Sequence, residues 1–255
     1  MFLQLMGCSM KLTQGLAAFV LLATAAAANA ELTGTVTATS DYNWRGITQS
    51  AQDPALQGSI DYSMDSGFYA GAWASNVDFG NCCDENLEVD LYAGFRGGSD
   101  VTWDVGFIYY AYPGAEDLDY PEIYGSLGYK WFVAKLSYSS DFANYSEQAW
   151  YLEGNAAYEL PANFGLQAHV GYSTGDGIEE AYSARDDFGN IVDRVDSYFD
   201  WSIGVTYALG NFDLGLKYAD GSDLETLDGT TDDIASSEGA VIFTVATTFP
   251  WGGDE

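Results

Sequence analysis

The most restrictive feature of this 255-residue sequence is an alternation of apolar and polar residues that recurs along most of its length. One run places its apolar residues at every second position: Leu87, Val89, Leu91, Ala93 and Phe95. Successive side chains of a strand point to opposite faces, so each run predicts a β-strand with one apolar face. We predict about twelve strands, at 32–46, 55–64, 67–79, 87–97, 101–112, 122–130, 131–142, 148–160, 163–173, 197–209, 211–219 and 239–249.

The connections between these runs alternate between short and long segments. Most runs are close to the roughly 9–11 residues with which a tilted strand crosses a bilayer. Alternating turns and long loops are typical of an up-and-down barrel with short turns at one end and long loops at the other. We therefore predict an all-β fold, a transmembrane up-and-down antiparallel β-barrel. Its long loops would be 47–54, 80–86, 113–121, 143–147, 174–196 and 220–238.

A soluble β-sandwich could show the same alternation, and the chemistry of the two faces separates the two folds. No run looks buried on both faces, as the strands of sandwich cores often are. The apolar faces carry almost no charge, and aromatic residues concentrate near strand ends, as they do at membrane interfaces. These features favour the barrel. The aromatic residues that we assign to the membrane interfaces are Tyr42, Trp44, Trp103, Trp131, Trp150 and Phe249.

The first thirty residues differ in character from the rest of the chain. Lys11 precedes an apolar run at 15–28, which ends in a small-residue site at Ala30. This order is typical of a secretory signal peptide, and the run is short for a membrane anchor. We predict a signal peptide at 1–30 and a single barrel domain at 31–255, secreted through the inner membrane to the Gram-negative outer membrane. Met1 and Met10 both remain possible starts.

A strong negative charge limits the partners of this chain. Without Lys11, 38 acidic residues face 7 basic ones. Such a polyanion will not bind nucleic acid through its phosphates, and an aromatic content of 16% excludes an acidic disordered chain. The expected partners are outer-membrane lipid and lipopolysaccharide, the barrel assembly machinery and small hydrophilic solutes. The sequence leaves the oligomeric state open.

The polar faces of the strands would line the lumen of the barrel. Acids outnumber bases there, so a water-filled lumen would favour cations or neutral solutes. In the alternative, acids and bases pair across the lumen and close it. The strand number leaves both outcomes open, because barrels of about eight strands are filled by side chains, whereas those of about 16–18 strands enclose a channel. The candidate pore-lining residues are Asp41, Asn43, Arg45, Asp61, Glu88, Asp90, Arg96, Asp104, Glu122, Lys130, Lys135, Glu153, Glu159, His169, Asp213 and Lys217.

Alternation also makes a specific prediction for the stretch DYNWRG at 41–46. If the first strand runs to Gly46, Tyr42 and Trp44 face lipid while Asn43 and Arg45 face the lumen. Trp44 and Arg45 would then not touch. Arg45 is expected to pair with an acid such as Asp61 or Glu88, or to form part of a constriction.

Other chemical signals in the sequence are weak. The acidic loops lack the spacing of a calcium site, and the adjacent Cys82 and Cys83 could form only a strained disulfide. His169 is the only histidine, and no activated serine motif accompanies it. We predict no metal, no cofactor and no enzymatic activity. The favoured function is a porin-like channel for passive diffusion; the alternatives are a closed structural or adhesive barrel and, third, a barrel hydrolase.

Four stretches of the sequence also resemble a known family. The chain is similar to the TorF-type porins, proteobacterial proteins formerly described as conserved hypotheticals. The resemblance implies an outer-membrane barrel with a channel role, and it supplies neither catalytic residues nor a substrate. One departure is the tail PWGGDE after Phe249, where outer-membrane chains typically end on an aromatic residue. The stretches that carry the resemblance are TATSDYNWRGITQS at 37–50, DLYAGFRG at 90–97, WDVGFIYYAYPG at 103–114, and PEIYGSLGYKWF together with KLSYSSDF within 121–142.

Overall fold

A computed structural model describes residues 30–80, 86–186, 188–222, 224 and 234–251. The predicted signal peptide up to residue 29, Cys82 and Cys83, and most of the acidic loop 220–238 lie outside the described residues. The elements in chain order are β1 (Ala30–Thr39), β2 (Asn43–Trp44), β3 (Ile47–Thr48), β4 (Ala55–Met64), β5 (Phe68–Asn76), β6 (Leu87–Gly98), β7 (Val101–Ala111), β8 (Tyr120–Tyr129), β9 (Phe132–Ser139), β10 (Ala149–Glu159), β11 (Phe164–Thr174), α1 (Asp176–Tyr182), β12 (Ala184–Arg185), β13 (Ile191–Asp193), β14 (Ser197–Leu209), β15 (Phe212–Ser222) and β16 (Ala240–Phe249).

Twelve of these strands form a closed antiparallel barrel, which confirms the predicted fold. Each barrel strand pairs with the next along the chain, and β16 closes the ring on β1. The closing pair aligns Gly34 with Phe249 and Thr39 with Thr244. Closure satisfies the backbone hydrogen bonds of every strand, as the interior of a bilayer requires. The short strands β2, β3, β12 and β13 form two hairpins in the loops.

Short turns connect the barrel strands at one end. The turn between β8 and β9 holds only Lys130 and Trp131, and the turn between β14 and β15 holds only Gly210 and Asn211. Lys130 and Gly210 have φ of 56° and 61°, as two-residue hairpin turns require. Lys130 therefore belongs to a turn and not to the predicted strand 122–130.

The outer surface of the barrel is apolar. Leu32, Ile60 and Ile203 expose 63%, 64% and 59% of their surfaces. In water, a belt of such residues would form a very large hydrophobic patch, whereas in a bilayer these side chains contact lipid. No helix among the residues described above is both long enough and apolar enough to cross a membrane.

Aromatic pairs form a band at each end of the outer surface. Rings of this kind are favoured at the two membrane–water interfaces. Of the predicted interface residues, Trp103, Trp150 and Phe249 lie in barrel strands and Trp131 in a turn, and all four are exposed. The contacting pairs are Phe68–Phe95, Phe164–Tyr207 and Phe249–Trp251 at the turn end, and Tyr138–Trp150, Tyr172–Phe199 and Trp201–Tyr218 at the loop end.

The first strand ends at Thr39 and not at Gly46, because the chain leaves the barrel wall there. Residues 40–54, the inserted loop, fold into the lumen and contain the hairpin of β2 and β3. A Cβ at Gly46 would lie 2.7 Å from the Asp200 Cβ, so the hairpin tip rests directly against the opposite wall. The prediction that Tyr42 and Trp44 face lipid is therefore wrong.

Buried residues fill the lumen at the loop end. The inserted loop meets inward-facing aromatic residues of β7, β8 and β14 there, and Tyr110 stacks on Tyr120 with ring centroids 4.6 Å apart. Trp44 packs against this cluster, with its ring 6.0 Å from that of Tyr110. The alternation that suggested a longer strand thus reflects burial inside the barrel. The cluster consists of Ile47, Tyr110, Tyr112, Tyr120, Phe142, Ala149, Ile178, Val195, Tyr198 and Leu224.

Candidate functional site

The predicted pore-lining residues fall into three groups. Asp41, Asn43 and Arg45 come from the inserted loop, and Lys130 lies in a turn. The others occupy strand positions that alternate with the exposed apolar residues, which places them on the inner face of the barrel. These are Asp61, Glu88, Asp90, Arg96, Asp104, Glu122, Lys135, Glu153, Glu159, His169, Asp213 and Lys217.

Arg45 forms a buried ion pair that joins the inserted loop to the barrel wall. Its Nη2 lies 2.7 Å from Oε2 of Glu122 on β8, and the two side chains expose only 8% and 2% of their surfaces. The guanidinium lies between the rings of Trp44 and Tyr151, 4.2 Å and 4.1 Å from their centroids. Such cation–π contacts stabilise a desolvated arginine.

Two predictions about Arg45 are corrected by this geometry. Its partner is Glu122 and not Asp61 or Glu88, and it does contact Trp44. The backbone explains the contact, because Arg45 has φ of 48° and Gly46 has φ of 81° in a tight hairpin turn. Strand alternation does not apply to residues in such a turn.

Acidic residues accompany the inserted loop. Oδ1 of Asp41 accepts hydrogen bonds from Thr48 at 2.6 Å and from Ser50 at 3.4 Å, which fix the base of the hairpin. Burial raises the pKa of the Asp41 carboxyl, while these two hydrogen bonds and the charge of Lys217 oppose the shift. Asp41 thus anchors the loop from within.

A second acidic group lies on β6 beside the inserted loop. Tyr42 donates to Oε1 of Glu88 at 3.3 Å, and Glu88 and Asp90 expose only 2% and 7% of their surfaces. Glu88 and Asp90 are thus buried acidic groups of the loop half of the lumen, and the Tyr42 contact ties the loop to that wall.

His169 is held in a network on the opposite wall. Its Nε2 lies 2.7 Å from Oδ1 of Asp200, and its Nδ1 lies 2.7 Å from Oδ1 of Asn155. The Tyr151 hydroxyl donates to Asp200 at 3.1 Å. Asp200 and Tyr151 were not among the predicted site residues, although alternation in the run 197–209 places Asp200 on the inner face.

The same network continues along β10 to β9. Asn155 donates to Oε2 of Glu153 at 2.8 Å, and Nζ of Lys135 lies 3.3 Å from Oε1 of the same carboxylate. Both nitrogens of His169 have partners, and none of them is a serine in the described part of the chain. Within those residues, no group of three or more His, Cys, Asp or Glu residues could hold a metal ion. The arrangement is a hydrogen-bonded polar wall that joins β9, β10, β11 and β14.

Tyrosine residues cover the carboxylates of the wall from β4 to β8. Tyr69 donates to Asp104 at 2.6 Å, and Tyr92 donates to Asp61. The ring of Tyr92 lies over Gly71 on the neighbouring strand, where a Cβ would clash with it. A tyrosine hydroxyl thus holds each of these two carboxylates close to the inner face of the barrel.

A polar cavity of about 620 Å³ lies between the inserted loop and the turn end. It runs from Trp44 and Arg45 to Lys130 and Trp131. A smaller cavity of about 190 Å³ adjoins it and shares Gln167 and Lys217 with it. The loop half of the lumen is therefore filled, whereas the turn half is hollow and hydrophilic.

The closed strand order, the apolar outer belt and the charged interior define an up-and-down β-barrel of the transmembrane kind. The chain belongs to the Gcw_chp family, described as bacterial proteins of unknown function, whose family model matches residues 23–249. This match does not confirm the TorF name, and no curated protein matches the sequence.

Two solved porin structures share the fold. A KdgM porin, solved in complex with disordered oligogalacturonate, has a TM-score of 0.51 at 8% identity, over 87% of this chain and 100% of that chain. The NanC porin has a TM-score of 0.51 at 9% identity, over 86% of this chain and 99% of that chain. At such identities the similarity concerns the barrel and not the ligand.

Proposed function

We propose that this protein is a porin-like channel for the passive diffusion of small hydrophilic solutes across the outer membrane. The observation that carries the proposal is the charged cavity of about 620 Å³ inside a barrel with an apolar outer surface. A barrel that served only as a membrane anchor would not require a charged cavity in its lumen. The predicted signal peptide supports delivery to the outer membrane, where lipid, lipopolysaccharide and the barrel assembly machinery would be its partners.

The inserted loop would form the constriction of this channel. It spans the lumen from Glu122 on β8 to Asp200 on β14. Around it, Asp41, Glu88 and Asp90 are acidic groups that form no ion pair with the described residues, whereas Arg45 and Glu122 neutralise each other. A constriction with an excess of carboxylates favours cations. We therefore propose a preference for cations or neutral solutes among the solutes that pass the loop half.

A closed structural or adhesive barrel is the second candidate. The observation in its favour is the filled loop end, where Ile47 and Tyr198 expose only 2% and 1% of their surfaces. In that case the cavity would be a dead-end pocket open towards the turns. The two candidates differ in solute flux.

Solute flux can be measured by the swelling of liposomes that contain the refolded chain 31–255. We expect swelling with small neutral polyols at a rate well above that of protein-free liposomes, and we expect the rate to fall as the polyol becomes larger. The matched control is the same protein added in unfolded form. Swelling at the protein-free rate would contradict the channel and support the closed barrel.

A further inference from the structure

Basic residues outnumber acidic ones in the lining of the cavity in the turn half, although the chain as a whole is strongly acidic. The whole sequence has a formal net charge of −30. Four of its eight Lys and Arg residues line the cavity, together with the only histidine: Arg45, Lys130, Lys135, Lys217 and His169. Among the Asp and Glu residues that the structure describes, only Glu153 and Asp200 do so. Basic residues are thus concentrated around one space.

Lys217 forms no hydrogen bond and no ion pair with any residue that the structure describes, whereas Lys135 is paired with Glu153 and Arg45 with Glu122. Lys130 also lacks such a partner, but it lies exposed in a turn with its ammonium over the Tyr129 ring. Asp41 and Asp200 are the carboxylates whose charges act on Lys217. The stem of Lys217 lies against Gly204 of β14, where a Cβ would come within 2.8 Å of the lysine Cβ. The neighbouring strand therefore leaves room for this side chain at the place where both cavities meet.

Uncharged polar groups also line the cavity near Lys217. Gln167 and Ser202 line the cavity without a hydrogen bond to another described side chain, and Asn155 lies deeper along the same wall. A volume of about 620 Å³ falls within the roughly 300–1,000 Å³ of small-molecule sites. Amide and hydroxyl groups of this kind bind solute hydroxyls.

We propose that this cavity binds a small organic anion that carries one carboxylate and several hydroxyl groups. Lys217 contacts the carboxylate, and Gln167 and Ser202 contact the hydroxyls. A singly charged carboxylate is favoured over a phosphate because a dianion would be repelled more strongly by the surrounding negative chain. The preference for cations or neutral solutes concerns the acidic loop half, whereas this site lies in the basic turn half. Binding here goes beyond the channel proposal and does not require conduction.

Titration calorimetry on the refolded barrel 31–255 tests the proposal, with gluconate, sorbitol and choline as the three ligands. Gluconate and sorbitol share a six-carbon polyol chain, and only gluconate is charged. We expect saturable binding of gluconate and no binding of sorbitol or choline. Substitution Lys217→Met removes the charge-assisted contact, and we expect it to weaken gluconate binding by at least about tenfold.

Arg194→Met is the matched control, because Arg194 pairs with Glu179 in an external loop and its side chain exposes 58% of its surface. It removes one positive charge from the chain and should leave the affinity unchanged. If Lys217→Met does not refold, Lys217→Gln replaces it with a polar side chain.

Absence of gluconate binding, an unchanged affinity in the Lys217 variants, or an equal loss in Arg194→Met would overturn the proposal. Tighter binding of inorganic phosphate would overturn the assignment to carboxylates. Binding without liposome swelling would contradict the channel alone, and swelling without binding would contradict this site alone.

Discussion

Substitution Glu122→Gln is expected to lower the free energy of unfolding by about 3–5 kcal/mol, because it leaves Arg45 buried without its counter-charge. Arg45 and Glu122 expose 8% and 2% of their side chains and meet at 2.7 Å. The rings of Trp44 and Tyr151 keep solvent from the guanidinium on two sides. Urea unfolding of the barrel in lipid vesicles, followed by tryptophan fluorescence, measures the loss.

The double substitution Arg45→Met with Glu122→Leu is the matched control. It removes both charges and introduces apolar side chains of similar volume. Such replacements of buried ion pairs often change the free energy of unfolding little. We expect this variant to unfold near the wild-type urea concentration. If Glu122→Gln were as stable as the double variant, the ion pair would not hold a desolvated charge in the lumen.

Removing the tip of the inserted loop is expected to raise single-channel conductance about threefold or more, because conductance follows the narrowest section of a pore. The backbone N–H of Gln49 donates to the carbonyl of Tyr42 at 2.6 Å, so these two residues already lie side by side. Two glycines can therefore replace Asn43–Thr48 without strain in the barrel wall. Planar-bilayer recordings of the two refolded proteins give the ratio.

The control for this deletion shortens a loop that does not enter the lumen. The hairpin of β12 and β13 is suited to it, because Phe188 at its tip exposes 90% of its surface. Replacing its tip by two glycines should leave the conductance unchanged. Equal conductance in wild type and the Asn43–Thr48 deletion would show that the inserted loop is not the constriction.

The strands of the barrel could be predicted from the sequence because alternation is a local property. The end of the last strand at Phe249 follows from it directly, whereas alternation places Lys130 and Trp131 inside strands although they form a turn. Alternation could not show where β1 leaves the wall. Trp44 continues the apolar pattern of the strand, but it packs inside the lumen and not against lipid. The end of a hydrogen-bonded ladder depends on the neighbouring strands, which the local pattern does not contain.

The candidate site was harder to predict than the fold. The faces of the strands gave most of the inward residues, but not their partners, because Arg45 and Glu122 are 77 positions apart. The count of inward acids also does not show which of them reach the cavity. Asp61 and Asp104 accept hydrogen bonds from tyrosines and do not line it, and among the charged residues that do line it bases outnumber acids. Which charges remain available depends on contacts between distant strands.

A single-channel recording on the refolded chain 31–255 tests the central claim most directly. In a planar bilayer with a gradient of potassium chloride, the channel proposal predicts discrete conductance steps. The acidic constriction predicts a reversal potential with the sign of cation preference. Discrete steps with an anion-selective reversal potential would contradict the proposed role of the carboxylates around the inserted loop. Silent bilayers, obtained with protein whose folding has been verified, would contradict the channel itself.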